Sequence, residues 1–262
     1  MTPRALAVAA LLGSVALAGS SCATSAIRAD RDSSTVTAAA SPTDVAGLPL
    51  VELPAAGERG VLAILLTGDG GWAELDRVVA RTLAERGVAV VGFDTRAFLS
   101  ERRTPAGTAE AVARVARHYA AAWGRDSVVL IGYSHGADVL PFVANRLPAD
   151  VRAHVALVAM LGLANGASFD FHWTDLLRET SRPGDLPVLP ELERLRGMVR
   201  LLCVYGVDEK ESLCRDADPT LVERVRRTGG HHFDGDYASL GEAIARRIGG
   251  DSSVHPSRRE RR

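Results

Sequence analysis

Val128-Val129-Leu130-Ile131-Gly132-Tyr133-Ser134-His135-Gly136 is the stretch that decides the fold of this chain. Its aliphatic start reads as a strand buried on both faces, the kind that lies inside a parallel sheet. The strand runs directly into Gly-x-Ser-x-Gly. Two glycines let the backbone turn sharply from strand to helix, which leaves Ser134 at the apex with its hydroxyl exposed. That is the geometry of a nucleophile elbow. The pentapeptide is short enough to arise by chance, so its weight rests on the strand before it, a helical pattern after it and suitable partners further along.

Working outward, Val61-Leu62-Ala63-Ile64-Leu65-Leu66 is a second buried-strand run. A helix follows with Leu75, Val78, Val79 and Leu83 on one face and Gly87 as its stop. Val88 to Phe93 reads as the next strand, and Thr108 as the N-cap of a helix reaching about Trp123. After Ser134 a helix is expected, bent or shortened by Pro141. Val155 to Leu163 and Val199 to Tyr205 are further apolar strands, Leu221 to Arg227 is a weaker one, and Leu240 to Ile248 is a closing helix. Strands alternating with helices predict an α/β domain over residues 58–249, with a mostly parallel sheet covered by helices on both faces. The alternation breaks at about 164–193, where Phe169, Phe171 and Trp173 recur at period two. This segment reads as a short cap insertion over the carboxyl ends of the strands. It either seals the core or, with Trp72, supplies an apolar wall for a lipid-like substrate.

The chain has 262 residues, 47% of them hydrophobic, enough for one sizeable core in a single domain. Its formal net charge is −1, and no basic stripe with interleaved aromatics occurs, which excludes nucleic acid as the expected partner. Residues 1–22 read as an export signal: Arg4 is the positive region, Ala5 to Ala18 the apolar one, and small residues follow up to Cys22. Two outcomes fit, cleavage after Ala18 or acylation of Cys22 as a lipoprotein, although Gly19 stands where a bulky aliphatic residue is usual in the second. Both place the protein in the periplasm or at the outer face of the cytoplasmic membrane. Residues 23–57 are rich in Ala, Ser, Thr, Asp and Pro and read as a flexible tether, and residues 250–262 as a disordered basic tail. Of three cysteines, Cys203 and Cys214 remain in the domain, and in an oxidising compartment they are expected to form a disulfide. Closing so short a loop contributes about 3 kcal/mol by the chain-entropy model. No His/Cys cluster accompanies them, so no metal site is read, and the chemistry below needs no cofactor.

A serine hydroxyl becomes a nucleophile only when a base takes its proton, and that base needs an acid to orient it. In an elbow-type hydrolase the chain order is serine, acid, histidine. The glycine-led loop Thr228-Gly229-Gly230-His231-His232-Phe233 follows the last strand and carries two candidate bases, His232 as first choice and His231 in reserve. Asp208, on the loop after the Leu201–Tyr205 run, is the expected acid, with Glu209 as runner-up. Two backbone donors are expected for the oxyanion: the N–H of His135, and that of Asp69 or Gly70 in Thr67-Gly68-Asp69-Gly70-Gly71-Trp72. That loop lacks the Lys-Ser/Thr ending of a P-loop and the G-x-G-x-x-G spacing of a dinucleotide site.

Gly68-Asp69-Gly70-Gly71-Trp72, Gly132 to Phe142, the Cys203-to-Cys214 loop and Gly229 to Tyr237 together resemble the VirJ/AcvB family over about Val61 to Ile248. The resemblance implies an exported bacterial protein with the α/β-hydrolase fold. It also implies hydrolysis of an aminoacylated phosphatidylglycerol, such as lysyl-phosphatidylglycerol, at the outer face of the inner membrane, and a possible link to type IV secretion components. His135 stands where phenylalanine is expected. For a cationic aminoacyl group, Asp69, Asp170, Asp234 and Asp236 are the acidic neighbours to consider. The rival expectations are a general cell-envelope esterase or thioesterase, and a non-catalytic binding or secretion protein that kept the fold.

Overall fold

A computed structural model describes residues 41, 43–55, 60–170 and 184–249 of the chain. The expected export signal with Cys22, all of the expected tether before residue 41, Phe171, Trp173 and the tail lie outside the described residues.

Nine strands and eight helices are found among the described residues: β1 (Leu50–Leu53), β2 (Val61–Leu66), α1 (Glu74–Ala84), β3 (Ala89–Phe93), α2 (Thr95–Phe98), α3 (Pro105–Trp123), β4 (Ser127–Tyr133), α4 (His135–Arg146), α5 (Ala149–Arg152), β5 (Val155–Leu161), β6 (Gly166–Ala167), β7 (Leu186–Pro187), α6 (Leu189–Arg194), β8 (Arg200–Gly206), α7 (Leu213–Asp216), β9 (Glu223–Arg227) and α8 (Tyr237–Gly249). Seven strands form one sheet in the order β1-β3-β2-β4-β5-β8-β9, parallel throughout except for β1, which runs antiparallel to β3. The period-two alternation sorts the strand residues onto two faces. Leu62, Ile64, Leu66, Val128 and Leu130 pack with α3 and α4, whereas Ala63, Leu65, Val129 and Ile131 pack with α1 and α8. A strand covered on both sides has no polar face to show, and this is why β2 and β4 are continuous apolar runs.

The order places the site. The chain goes from β2 outward to β3, then returns across β2 to β4, so the direction of winding reverses between β2 and β4. Leu66 and Gly132 are register partners at the carboxyl ends of these two strands. The loop after β2 and the elbow after β4 are therefore neighbours at the topological switch point, where open α/β sheets bind ligands.

Three expectations need correction. The tether does not extend to residue 57, because Leu50–Leu53 pairs with Val90–Phe93 as an edge strand. It is four residues long and only half-buried, too short a signal to stand out against its polar surroundings. Thr104, not Thr108, caps α3: its side chain accepts the Gly107 N–H at 3.0 Å, Pro105 takes the first helical position, and Thr108 is buried in the first turn. Pro141 does not shorten α4, which continues through it to Arg146. The expected stop at Gly87 is present, with φ +78° and the Val88 N–H turned back to the Leu83 carbonyl.

Candidate active site

Ser134 stands between β4 and α4 with φ 51° and ψ −124°, one of three non-glycine residues at positive φ among the described residues. The strain is the cost of lifting a side chain out of a tight bend. Both glycines of the motif are there for space. A Cβ on Gly132 would collide with the Gly136 carbonyl, and one on Gly136 with the carbonyls of Leu66 and Thr67. The Ser134 N–H is fixed by the Leu161 carbonyl of β5 at 2.9 Å.

The Ser134 hydroxyl meets His231 Nε2 at 2.8 Å, and His231 Nδ1 meets Glu209 Oε1 at 2.6 Å. This is the spatial arrangement of nucleophile, base and orienting acid, in the chain order serine, acid, histidine. Both positions were the second choices of the sequence. His232 does not face Ser134. It is exposed, and its Nδ1 pairs with the Tyr133 hydroxyl at 3.0 Å. The turn decides which histidine points inward: the Phe233 N–H bonds to the Gly230 carbonyl and Phe233 is 1% exposed, so the buried phenyl ring anchors the bend. Within it His231 lies stacked over the Tyr133 ring, centroids 5.4 Å apart, while His232 is turned outward. Asp208 likewise faces solvent. Its N–H bonds to the Gly229 carbonyl, and it sits in a turn past the end of β8, closed by the Glu209 N–H on the Gly206 carbonyl, that leaves Asp208 outside and brings Glu209 in. Glu209 also accepts the Gly206 N–H through its other oxygen at 3.3 Å.

The acid loop is tied down from several sides. Cys203 of β8 and Cys214 of α7 are disulfide-bonded with Cα atoms 5.4 Å apart, as their pairing in the sequence suggested. Arg215 donates to the carbonyls of Glu209 and Val207, and the Leu213 N–H and Ser212 hydroxyl reach the Leu163 carbonyl. Gly162 is a site residue that the sequence reading missed. At φ +65° it lies under the imidazole, and a Cβ there would stand 2.7 Å from His231 Cε1. The signal was present as a lone glycine ending an apolar strand run, but only the fold shows what approaches it.

The loop after β2 closes the other side. A Cβ on Gly68 would lie 3.1 Å from Ser134 Cβ, so the main chain passes directly against the nucleophile. The Gly71 N–H is used within the turn, bonding to the Gly68 carbonyl, whereas the Asp69 and Gly70 N–H groups have no backbone acceptor among the described residues. His135 opens α4, and first-turn N–H groups lack intrahelical acceptors while carrying the positive end of the helix dipole. Asp69 and Gly70 thus follow directly on the residue that passes against Ser134, and His135 follows Ser134 itself. The His135 side chain turns away from the serine. Its Nδ1 meets Asp69 Oδ1 and its Nε2 the Ser168 carbonyl, both at 2.8 Å.

Of the apolar wall residues, Phe169 belongs to the core: it is 7% exposed and packs edge-on against Phe142 with centroids 5.5 Å apart. Trp72 covers Gly92 of β3, where no side chain would fit, and forms one wall of a pocket of about 300 Å³ with Gly70, Gly71, Asp94, Arg96 and Ser100. Asp69 is paired with His135, and Asp170 with Arg102 at 2.8 Å. Asp234 and Asp236 are exposed on the turn after His232. Among the described residues no cluster of three or more His, Cys, Asp or Glu is arranged for a metal ion, and no helix is long and apolar enough to cross a membrane.

A family model described as bacterial virulence protein (VirJ) matches residues 60–250. The chain belongs to the VirJ family. Solved structures similar to this VirJ-family chain are α/β hydrolases, and its fold is the α/β-hydrolase fold. The esterase domain of a Rhodothermus marinus protein is 22% identical with a TM-score of 0.50, covering 76% of this chain and 90% of its own. Est1E from Butyrivibrio proteoclasticus, solved with ferulic acid bound, is 15% identical with a TM-score of 0.55, covering 78% and 95%. MenH from S. aureus is 12% identical with a TM-score of 0.55, covering 76% and 97%. At these identities the likeness is one of fold. No curated protein matches the sequence.

Proposed function

We propose that this VirJ-family protein is an exported serine esterase that cleaves aminoacyl esters of phosphatidylglycerol. The observation that carries the catalytic part is the chain of contacts from Ser134 to His231 to Glu209, at 2.8 and 2.6 Å, with the serine held at a strained elbow. His231 Nε2 takes the hydroxyl proton as Ser134 Oγ attacks the ester carbonyl carbon. The Glu209 carboxylate stabilises the imidazolium that results. The His135 N–H and that of Asp69 or Gly70 hold the oxyanion. Collapse breaks the bond to the leaving alcohol, which takes the proton from His231, and water then frees the acyl group by the same steps in reverse.

The lipid substrate rests on different support. The family resemblance implies it, and the basic and apolar residues 4–18 favour export, to the face where such a lipid is reached. The pocket of about 300 Å³ beside the oxyanion loop, with Asp94 and Arg96 on its walls, offers a polar place for the headgroup. With Asp69 and Asp170 already paired to cations, recognition of a lysyl ammonium group falls to Asp234 and Asp236, exposed next to the histidine loop.

The test is incubation of the purified protein with vesicles containing lysyl- or alanyl-phosphatidylglycerol, measuring free amino acid, with Ser134→Ala alongside. Release that disappears in the variant supports the reading. No release from either lipid, while p-nitrophenyl acetate is turned over, would leave an envelope esterase of another substrate class. Inertness towards every ester, with no fluorophosphonate adduct at Ser134, would leave a binding protein on a hydrolase fold.

A further inference from the structure

The side chain that follows the nucleophile has a hydrogen-bonding pattern that fixes its charge. Both ring nitrogens of His135 face acceptors: Nδ1 the Asp69 carboxylate and Nε2 the Ser168 backbone carbonyl, each at 2.8 Å. Neither acceptor can donate, and exchanging the nitrogens by a ring flip changes nothing. A neutral imidazole owns one N–H, so with Asp69 ionised both bonds exist together only in the imidazolium. The ring is 6% exposed, so this is a buried cation and not a surface one. Burial pulls its pKa down, but the Asp69 carboxylate first and the Ser168 carbonyl after it raise it further, to about 9.

The two paired residues are also those from which the oxyanion donors are drawn. His135 begins α4 and Asp69 lies on the loop after β2, two separate elements meeting at Ser134. A carboxylate on the loop that supplies an oxyanion donor would oppose the developing negative charge by simple repulsion. We propose that the His135 imidazolium is a positioning residue: it clasps Asp69 across the oxyanion hole, cancels that carboxylate's charge and ties both to the insertion at Ser168. This rests on the serine-esterase reading for its kinetic consequences, but the ion pair itself stands apart from activity.

The charged and titratable groups facing His135 are few enough to name. Asp69 comes from the β2 loop and Asp138 from its own helix, one turn on. Asp138 is raised to about 7 by burial, against the Ala164 N–H that it accepts at 2.7 Å and the His135 and His231 charges that lower it. On the insertion, Asp170 neighbours Ser168 and is paired with Arg102. His231 and Glu209 lie across the nucleophile. Of these, His135 is the group whose deprotonation near pH 9 leaves Asp69 uncompensated beside the oxyanion.

Two measurements on the full chain test this. In a ¹⁵N histidine-ring titration, assigned with His135→Gln, one imidazole should keep both nitrogens protonated to about pH 9; finding the His135 ring neutral at pH 7.5 would overturn the proposal. With p-nitrophenyl acetate as probe, His135→Phe should lower kcat about 30- to 100-fold with KM changed less than threefold, the size expected when one oxyanion donor is displaced by a fraction of an ångström. Asp69→Asn/His135→Phe, which removes both charges, should recover at least tenfold of that loss and lack the fall in kcat expected of wild type above pH 9. Full kcat in His135→Phe, or no recovery in the double variant, sinks the clasp while leaving the serine esterase standing. Should His135→Phe fail to fold, the near-isosteric Asp69→Asn takes its place, with the imidazole expected to titrate at least one unit lower. If wild type is inert and takes no fluorophosphonate, the esterase reading fails instead, and the ring titration still decides the ion pair.

Discussion

Replacing Glu209 by glutamine tests the acid in the site directly, because the change keeps the side chain's shape and removes its charge. Glu209 Oε1 lies 2.6 Å from His231 Nδ1, and its side chain is 12% exposed, so water screens the pair only partly. When His231 takes the serine proton, its positive charge appears with charge centres about 4 Å from the carboxylate. At an effective dielectric near 20 the attraction is about 4 kcal/mol. At 1.36 kcal/mol per decade this is roughly a thousandfold in kcat. A glutamine amide that donates to Nδ1 would also hold the wrong tautomer, which adds up to about another tenfold. Asp208→Asn is the matched control. Its carboxylate faces solvent and its structural bond is made by the backbone N–H, so kcat should change by less than about twofold. Both variants would be assayed with p-nitrophenyl acetate at pH 8, with thermal melts to verify folding. A larger loss in Asp208→Asn than in Glu209→Gln would refute the assignment of the acid and the turn geometry beneath it.

Other outcomes follow from the same contacts. His231→Ala should lower kcat by about 10⁴-fold or more, whereas His232→Ala, which loses a partner of the Tyr133 hydroxyl and an edge contact with the His231 ring, should cost less than about tenfold. Gly162→Ala should cut kcat about 100-fold with the fold intact, since its Cβ would push on His231 from 2.7 Å. Cys203→Ala/Cys214→Ala should lower stability by about 3 kcal/mol in urea melts and lower kcat as well, because the disulfide closes the loop that carries Glu209. Asp76 is fully buried, one of its oxygens lacks a partner, and burial raises its pKa from 3.8 to about 7 despite the Ala73 N–H bond. A carboxyl raised in the folded state stabilises below pH 4 and loses that contribution as pH rises through 7, so Asp76→Asn should gain on wild type by on the order of 4 kcal/mol between pH 4 and pH 8. A gap that does not widen with pH in denaturant melts would contradict this.

Much of the fold was legible because a parallel sheet buried on both faces leaves little ambiguity. Continuous apolar runs as short as Val61–Leu66 and Val128–Ile131, bounded by glycines, fit strands inside such a sheet. Ser134 was legible for a related reason, since Gly132 and Gly136 are demanded by backbone contacts that a pentapeptide reports directly. What stayed out of reach depended on where side chains point after a turn. Leu50–Leu53 is an edge strand with half-buried residues and no period to declare it. The aromatic Phe169 was open to two readings, lid or core, and only its contact with Phe142 decides for core.

The acid and the base share one cause for being second choices. In each case two adjacent residues carry the required chemistry, Asp208 and Glu209 or His231 and His232, and composition cannot rank them. The ranking is made by their backbones. The turn after β8, closed by the Glu209 N–H on the Gly206 carbonyl, leaves Asp208 in solvent and sets Glu209 beside His231. The buried Phe233 ring fixes the phase of the last loop in the same manner, and Gly162 leaves a space that only the inward imidazole fills. In both loops the inward side chain is selected by the turn that carries it, and a one-residue slip in either would break the Ser134–His231–Glu209 contacts and leave the displaced group in water.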